Sequence, residues 1–577
     1  MRRISHAATS LILLLVVGCA PTTPSRPTDG SDTREARTGP GPVKTLILAQ
    51  INAVPMYGPW EFSNTSGGGA TFVEIHTQGV TTQDDRGQIV PRLATRLPSF
   101  DDGTIVVLPD GRMQTTWSLR SDVTWHDGAP FTAEDVVFSQ AVHTAFPSSI
   151  NGYAPFIERI ETPDPHTVVI TWKTTYYLAL DFHHRNMWLF PKHRLSAAFE
   201  NERGELLSNP YFTSEYIQLG PFRLVDWGLG ENEVFERYDG FFLGRPRVDR
   251  IIIRSIGDPT TVLTNLKAGA IDIAAEKTLL TDAYADLRDE WARSGEGTLL
   301  QRQENWRYIW FQFDPQWARP IEMSQDVRIR RGLAYGWDRE SLRELILGDF
   351  DQRLTSGDTF MEASDPRGEI VGKPFARYTY DPTRASQEMA EAGWRRSPDG
   401  RLLGQAGEQV QVETRGNPPD VKELAVLAGY WRSLGIEVTE FIPPQSLGRD
   451  NEYKSKFPSV ETRARGNSEG IFSSFVGRDG SGPQNRWQGA NTGHYNNPAY
   501  DGLYDQLRST LDPRDQTRII RDLAEILATE LPALPMYFRI SFMSVRSTVR
   551  GPIFQDFPST RGSGGALSRN AHLWERV

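Results

Sequence analysis

Thr115 to Leu119 and Thr167 to Trp172 alternate apolar and polar positions with the period of two that a half-buried strand requires. The second follows an Asp164-Pro165 turn. Thr45 to Ala49 is a short apolar run suited to a buried first strand, and Val248 to Ser255 is a β-branched strand candidate. Asp258-Pro259 and Asp381-Pro382 open helices that close at Gly269 and Gly393, because Asp caps free amides, Pro fits the first turn and Gly fits the left-handed stop. Val421 to Leu434 has helical spacing up to Gly435 and leads into an Ile436-Glu437-Val438 strand, and Asp512-Pro513 opens a helix to about Thr529, before Pro532. Strands and helices alternate over most of the length. That order predicts an α/β protein rather than a sandwich or a bundle.

The first residues carry a different pattern. Met1-Arg2-Arg3 is a basic start, Leu11 to Val17 is an apolar run too short for a stable membrane span, and Val16-Val17-Gly18-Cys19 follows. This order fits a secretory signal in residues 1–18, and its ending resembles a bacterial lipobox. The resemblance implies a diacylglycerol on the Cys19 thiol and cleavage just before it; an ordinary signal with a chance cysteine is the alternative. Cys19 is the chain's one cysteine, so the mature protein is expected to lack disulfides, Cys-bound metal and a Cys nucleophile. Residues 19–42, rich in Pro, Thr, Ser and Gly, read as a disordered tether. No later segment approaches about 18 consecutive apolar residues.

A chain of 577 residues exceeds one hydrophobic core, so two or three packed units are expected. The net charge of −10 argues against nucleic acid as a partner, because phosphate binding needs a basic face. Fifteen tryptophans supply flat surfaces for a cleft as well as for cores. Residues 477–493, rich in Gly, Asn and Gln, read as a long loop of the kind that often carries function.

The passage from Trp117 to Ser139 (strand, His126-Asp127-Gly128 turn, Thr132-capped helix) closely resembles the signature of the family 5 extracellular solute-binding proteins, the oligopeptide, dipeptide and nickel type. Gly220-Pro221-Phe222, Leu266 to Asp272, Val327 to Arg339, Tyr380-Asp381-Pro382 through Gly393-Trp394, Tyr495 to Pro498 with Asp501, and Glu530 to Pro535 resemble further family passages in the same order. The resemblance implies a two-lobe α/β fold like that of class II periplasmic binding proteins, with an extra inserted subdomain. Residues 43–90, 211–300 and 530–577 would form the first lobe, 91–210 the insert and 301–529 the second lobe. It also implies a monomer that captures a small molecule or peptide between lobes and hands it to the permease and ATPase of an ABC importer. Membrane contact would be through the lipid anchor alone, without a cofactor. A sensory lipoprotein on the same fold is an alternative, and a secreted hydrolase a more distant one.

Family peptide binders carry an acidic residue in a second-lobe loop that pairs with the peptide amino terminus. The matching stretch here, Val460 to Phe472, has no Asp and offers Arg463, Arg465 and Asn467 instead. Arg forks match carboxylates and phosphates, which tilts the expected ligand from a short peptide toward an anionic or oligosaccharide-like solute. Glu461 or Glu469 stays open as an amine anchor, and solvated surface charge is the plain alternative for both arginines. Trp306 shares a strand face with Tyr308 and Trp310, where stacking on a ligand competes with core packing. Phe472 and Trp487 flank the long loop, and Tyr57 and Trp60 follow the first strand; all four are cleft candidates. His126 and Asp127 read as turn formers, and His183 and His184 beside Asp181 as surface or turn residues, so neither a catalytic nor a metal site is expected.

Overall fold

The computed structural model describes residues 43–62, 71–84, 88–147, 153–228, 232–348, 355–361, 365, 367–444, 447, 450–466, 470–485, 487–551 and 568–577. The expected signal, Cys19 and the tether lie outside the described residues, as does Asn467. Lys44–Val577 forms one unit.

The first strand, β1 (Thr45–Gln50), is followed by the insert, in which β2 (Ile105–Val107), β3 (Met113–Ser118), β4 (Ile157–Asp164) and β5 (Thr167–Trp172) form an antiparallel sheet in the order β2-β3-β5-β4. The chain then returns through β6 (Phe222–Gly228), β7 (Asn232–Arg237), β8 (Arg250–Ser255) and β9 (Ile273–Ala274). A long strand, β10 (Gly297–Phe311), leads to β11 (Gln411–Arg415), β12 (Glu437–Phe441) and β13 (Val460–Gly466), and a second long strand, β14 (Ala533–Arg546), comes back. These assemble into one ten-stranded mixed sheet, ordered β12-β11-β13-β10-β14-β9-β1-β8-β7-β6.

β10 and β14 join the two lobes. They pair antiparallel from Gly297↔Arg546 to Trp310↔Ala533, while β9 meets β14 at Ser544–Val545 and β13 meets β10 over residues 305–311. The β10–β14 ladder shifts twice, once between Gln303 and Trp306 and once between Arg307 and Tyr308, the second within the stretch of β10 that also pairs with β13. Glu304 and Asn305 face Arg539 alone, and Met536 is the extra residue on β14. Each extra residue bends its strand and increases the local twist.

Most sequence-level elements recur within a residue or two, while the strand expected at Ile436–Val438 runs on to Phe441. The Asp258, Asp381 and Asp512 carboxylates accept from the backbone amides of Thr261, Arg384 and Arg514, opening helices Pro259–Lys267, Pro382–Glu391 and Pro513–Glu530. Gly435 ends helix Val421–Ser433 at φ +90°, where an added Cβ would stand 2.3 Å from the Gly400 carbonyl, so both the dihedral and the contact demand glycine. The His126 corner is structural: Nδ1 accepts from the Gln218 amide at 3.1 Å and Nε2 donates to the Gly220 carbonyl at 3.0 Å. Burial pulls its pKa down to about 4, so the ring is neutral.

Hydrophobic packing falls into three clusters. One gathers the insert from Val80 to Leu219, a second gathers β1, β8 and residues 188–216, and the third fills the lobe built on β10 to β14. The end of the segment expected as the insert, Trp188 to Pro210, therefore packs partly on the first lobe. Val262, Leu266, Tyr284 and Trp291 join the second lobe's cluster across the sheet. Packing is thus continuous where chain order suggested boundaries at Pro210 and Leu300.

His183 and His184 depart from expectation. They do occupy a turn, but both are buried: His183 Nε2 lies 3.5 Å from Asp181 Oδ1, and His184 Nδ1 lies 3.5 Å from Glu74 Oε1. The cause is close packing. A Cβ on Gly79 would meet His183 Cα at 2.6 Å, so the backbone of Gly79 presses this turn into the interior.

Candidate functional site

β13 supplies the polar centre of the second lobe. Its side chains at 461, 463 and 465 face the same side as Trp310, Tyr308 and Trp306 of β10, because the ladder pairs Glu461 with Trp310, Arg463 with Tyr308 and Arg465 with Trp306. The three β10 aromatics are fully buried. Phe475 covers Tyr308 and Trp310, and Phe360 and Phe375 cover Trp306, so the ring bodies form a floor. Above that floor the arginines reach a cavity of about 600 Å³ lined by Lys454, Arg463, Arg465, Ser474, Trp487 and Thr492, among others.

Among the described residues, the lining of this cavity carries cations and no carboxylate. Arg463 donates to the buried Glu461 at 2.8 Å and to the Lys454 carbonyl at 3.3 Å. Arg465 donates to Ser474 Oγ at 3.2 Å. Among the described residues, no carboxylate forms an ion pair with Arg465 or with Lys454. Burial lowers the Lys454 pKa, and the positive charges of Arg463 and Arg465 push it the same way. Glu461 is a carboxylate on this face, and Glu469 lies outside the described residues; burial raises the Glu461 pKa against the pull of Arg463 and Arg415. The Arg463 Nε and the Thr492 hydroxyl are buried without a hydrogen-bond partner among the described residues. Such orphaned groups at a cavity wall are ready partners for a polar guest.

The structure thus gathers Arg463, Arg465 and Trp487, with Trp306 beneath Arg465 in the same ladder. Phe472 is buried nearby, edge-on to Phe360 at 5.0 Å, and its carbonyl accepts from the Tyr500 hydroxyl at 3.0 Å. Tyr57 and Trp60 lie elsewhere, in the first lobe's cluster. Tyr57 stacks on Tyr216 at 4.3 Å and donates to Glu233 at 3.0 Å; Trp60 stacks on Phe190 and donates to the Phe146 carbonyl at 3.0 Å. Sequence reading missed Lys454, Ser474 and Thr492. Lys454 sits on a short helix, Asn451–Ser455, capped by Asp450, which was the available local signal. Nothing local says that this helix lies against β13.

Among the described residues, no group of His, Cys, Asp and Glu is arranged to hold a metal ion. No helix among them is long and apolar enough to cross a membrane.

Heme-binding protein A of Haemophilus influenzae is 22% identical over 521 residues, covering 85% of this chain and 86% of that protein. The crystal structure of NikZ from Campylobacter jejuni in complex with Ni(L-His) has the same fold, with a TM-score of 0.71 at 22% identity, covering 93% of this chain and 100% of that one. The oligopeptide-binding protein AppA from Bacillus subtilis, in complex with a nonapeptide, shares it with a TM-score of 0.67 at 19% identity, covering 93% and 100%. Residues 88–476 match the bacterial extracellular solute-binding proteins, family 5 Middle, and this protein belongs to that family.

Proposed function

We propose that this protein is the solute-capturing component of an ABC importer, and that its solute is a small anion received at the Lys454, Arg463 and Arg465 cavity. Family membership supports the first part. One observation carries the second: two cations in the cavity wall, Arg465 and Lys454, have no carboxylate partner among the described residues. A carboxylate or phosphate would accept from the Arg465 fork and the Lys454 ammonium, with Thr492 and Arg463 Nε as further donors. Trp487 would cover the guest's flat or apolar side. Closure of the first lobe, through bending of β10 and β14, would exclude water and strengthen each contact. No bond is made or broken in the guest. Cys19 would carry the lipid that keeps the protein beside its permease and ATPase.

Native mass spectrometry of protein purified without unfolding, with calorimetric titration of citrate, L-glutamate, glucose 6-phosphate, trialanine and maltotriose, tests the ligand class. Binding confined to the acidic compounds is expected. Binding confined to trialanine or maltotriose would sink the anion reading. Loss of lipid mass in Cys19→Ala tests the anchor.

A further inference from the structure

Trp487 is held by a stack that starts outside the arginine-lined cavity. The Lys456 ammonium stands 4.9 Å from the Trp487 ring centroid and 5.1 Å from that of Trp317. Glu452, one helical turn earlier, accepts a hydrogen bond from the same ammonium. Lys456, Trp317 and Glu452 line a second cavity, of about 870 Å³, together with Asp314 and Asp501. Trp487 lines both cavities, whereas Lys456 and Trp317 line the second and not the first. The indole is a partition.

Its backbone is equally constrained. Trp487 has φ +61°, a left-handed value that costs a bulky residue about 1 kcal/mol or more and persists only where the surroundings over-determine it. Its amide donates to the Gly482 carbonyl at 2.8 Å, and the Ser481 amide donates to the Asn491 carbonyl at 3.1 Å. The buried Asn491 side chain donates to the carbonyls of Val476 and Tyr495. Gly489 passes so close that a Cβ there would stand 2.4 Å from the Asp479 carbonyl. This frame fixes the main chain of the loop. The ring is fixed by an ammonium shared with a second indole, an attraction that acts along the ring normal and disfavours rotation away from it.

We infer that Lys456, clamped between Trp317 and Trp487, is a positioning residue that sets solute affinity by holding the Trp487 indole as a wall of the Arg465 cavity. The inference rests on the reading of that cavity as the solute site. Lys456 itself stays on the far side of the partition and touches no guest.

Two measurements test it. Indole ¹H–¹⁵N spectra without added solute, with Trp487 assigned through Trp487→Phe, should give one sharp Trp487 signal in the natural protein and in Lys456→Arg. The signal should be broadened or doubled in Lys456→Met; an unchanged signal there overturns the inference whatever the solute. Calorimetry with citrate, L-glutamate and glucose 6-phosphate should show Lys456→Met weakening binding by about three- to tenfold. Lys456→Arg should recover it, and a Trp487→Ala background should abolish the difference. Equal affinities in the natural protein and Lys456→Met, with Trp487→Ala weakened, overturn the positioning role and spare the site. Failure of all three acids to bind, or full binding by Trp487→Ala, overturns the site reading instead, and the spectra still decide whether Lys456 holds the ring.

Discussion

Arg463 and Arg465 lie two residues apart on one strand face, yet their replacement by Gln should separate folding from binding. Arg463 is tied to Glu461, whose carboxylate is buried, with side-chain exposures of 17% and 7%. Removing the cation takes away that carboxylate's ion pair and leaves only the pull of Arg415 and Lys454. Breaking a buried pair costs about 3–5 kcal/mol, and residual access to solvent sets the lower end, about 3 kcal/mol, for Arg463→Gln. The cost depends on pH. The Glu461 pKa is already raised in the folded state and rises further without Arg463. Folded protein therefore binds more protons than unfolded chain from about pH 4.3 up to that raised value, so the variant loses stability as pH climbs through this window. Arg465 is exposed, donates to Ser474 and interacts with the Tyr308 hydroxyl, and forms no ion pair among the described residues. Arg465→Gln should leave stability within about 0.5 kcal/mol. For an acidic guest it should remove one charge-assisted fork worth about 1.5 kcal/mol, hence about tenfold in affinity, and added salt should shrink the difference. Urea midpoints at pH 5 and pH 8 read the first effect, and calorimetry with citrate, L-glutamate and glucose 6-phosphate reads the second. Equal destabilisation by the two variants, or unaltered acid binding by Arg465→Gln, would refute the reasoning.

Two further outcomes probe the scaffold. On the opposite sheet face, buried Arg307 pairs with Asp420 at 2.8 Å and with Glu423, which also accepts from the Tyr537 hydroxyl; Glu423→Ala should cost about 3–5 kcal/mol in urea unfolding, and a loss under about 1 kcal/mol would deny the network its role. Glu233 is buried with a pKa raised to about 7, chiefly by burial, and accepts from Tyr57 and Gln50. It is protonated in the fold but ionised in the unfolded chain between about pH 4.3 and 7, so stability should fall by about 3 kcal/mol across that interval. Glu233→Gln should flatten the fall, and parallel pH profiles for the two proteins would count against it.

Local signals in the chain announce their own geometry and little beyond it. Asp-Pro openings, glycine stops and period-two runs encode caps and strands within a few residues, which is why helices Pro259–Lys267, Pro382–Glu391 and Val421–Ser433 are readable. Their spacing puts Trp306 and Tyr308 on one strand face, but only the covering Phe360, Phe375 and Phe475, distant in the chain, reveal that face as interior. His183 and His184 look like polar turn residues until the backbone of Gly79 presses on them. Arg463 and Arg465 are legible as an unusual pair, and the partner of Arg463, Glu461, stands only two residues away; the burial that ties those two together is what the local sequence does not announce. Tyr57 and Trp60 follow the first strand as expected, but their rings turn into the first lobe's cluster, a choice made by Tyr216 and Phe190.

The two misalignments in the β10–β14 ribbon cancel. Gln303 pairs with Ile540 and Tyr308 with Pro535, so an equal number of residues separates the partners on each strand even though the pairing slips in between. Deleting Asn305 together with Met536 would therefore straighten the short coiled segment and keep the outer pairings of both strands unchanged. Such a paired edit would change the local twist between the two ends of the ribbon while leaving the strands on either side in step.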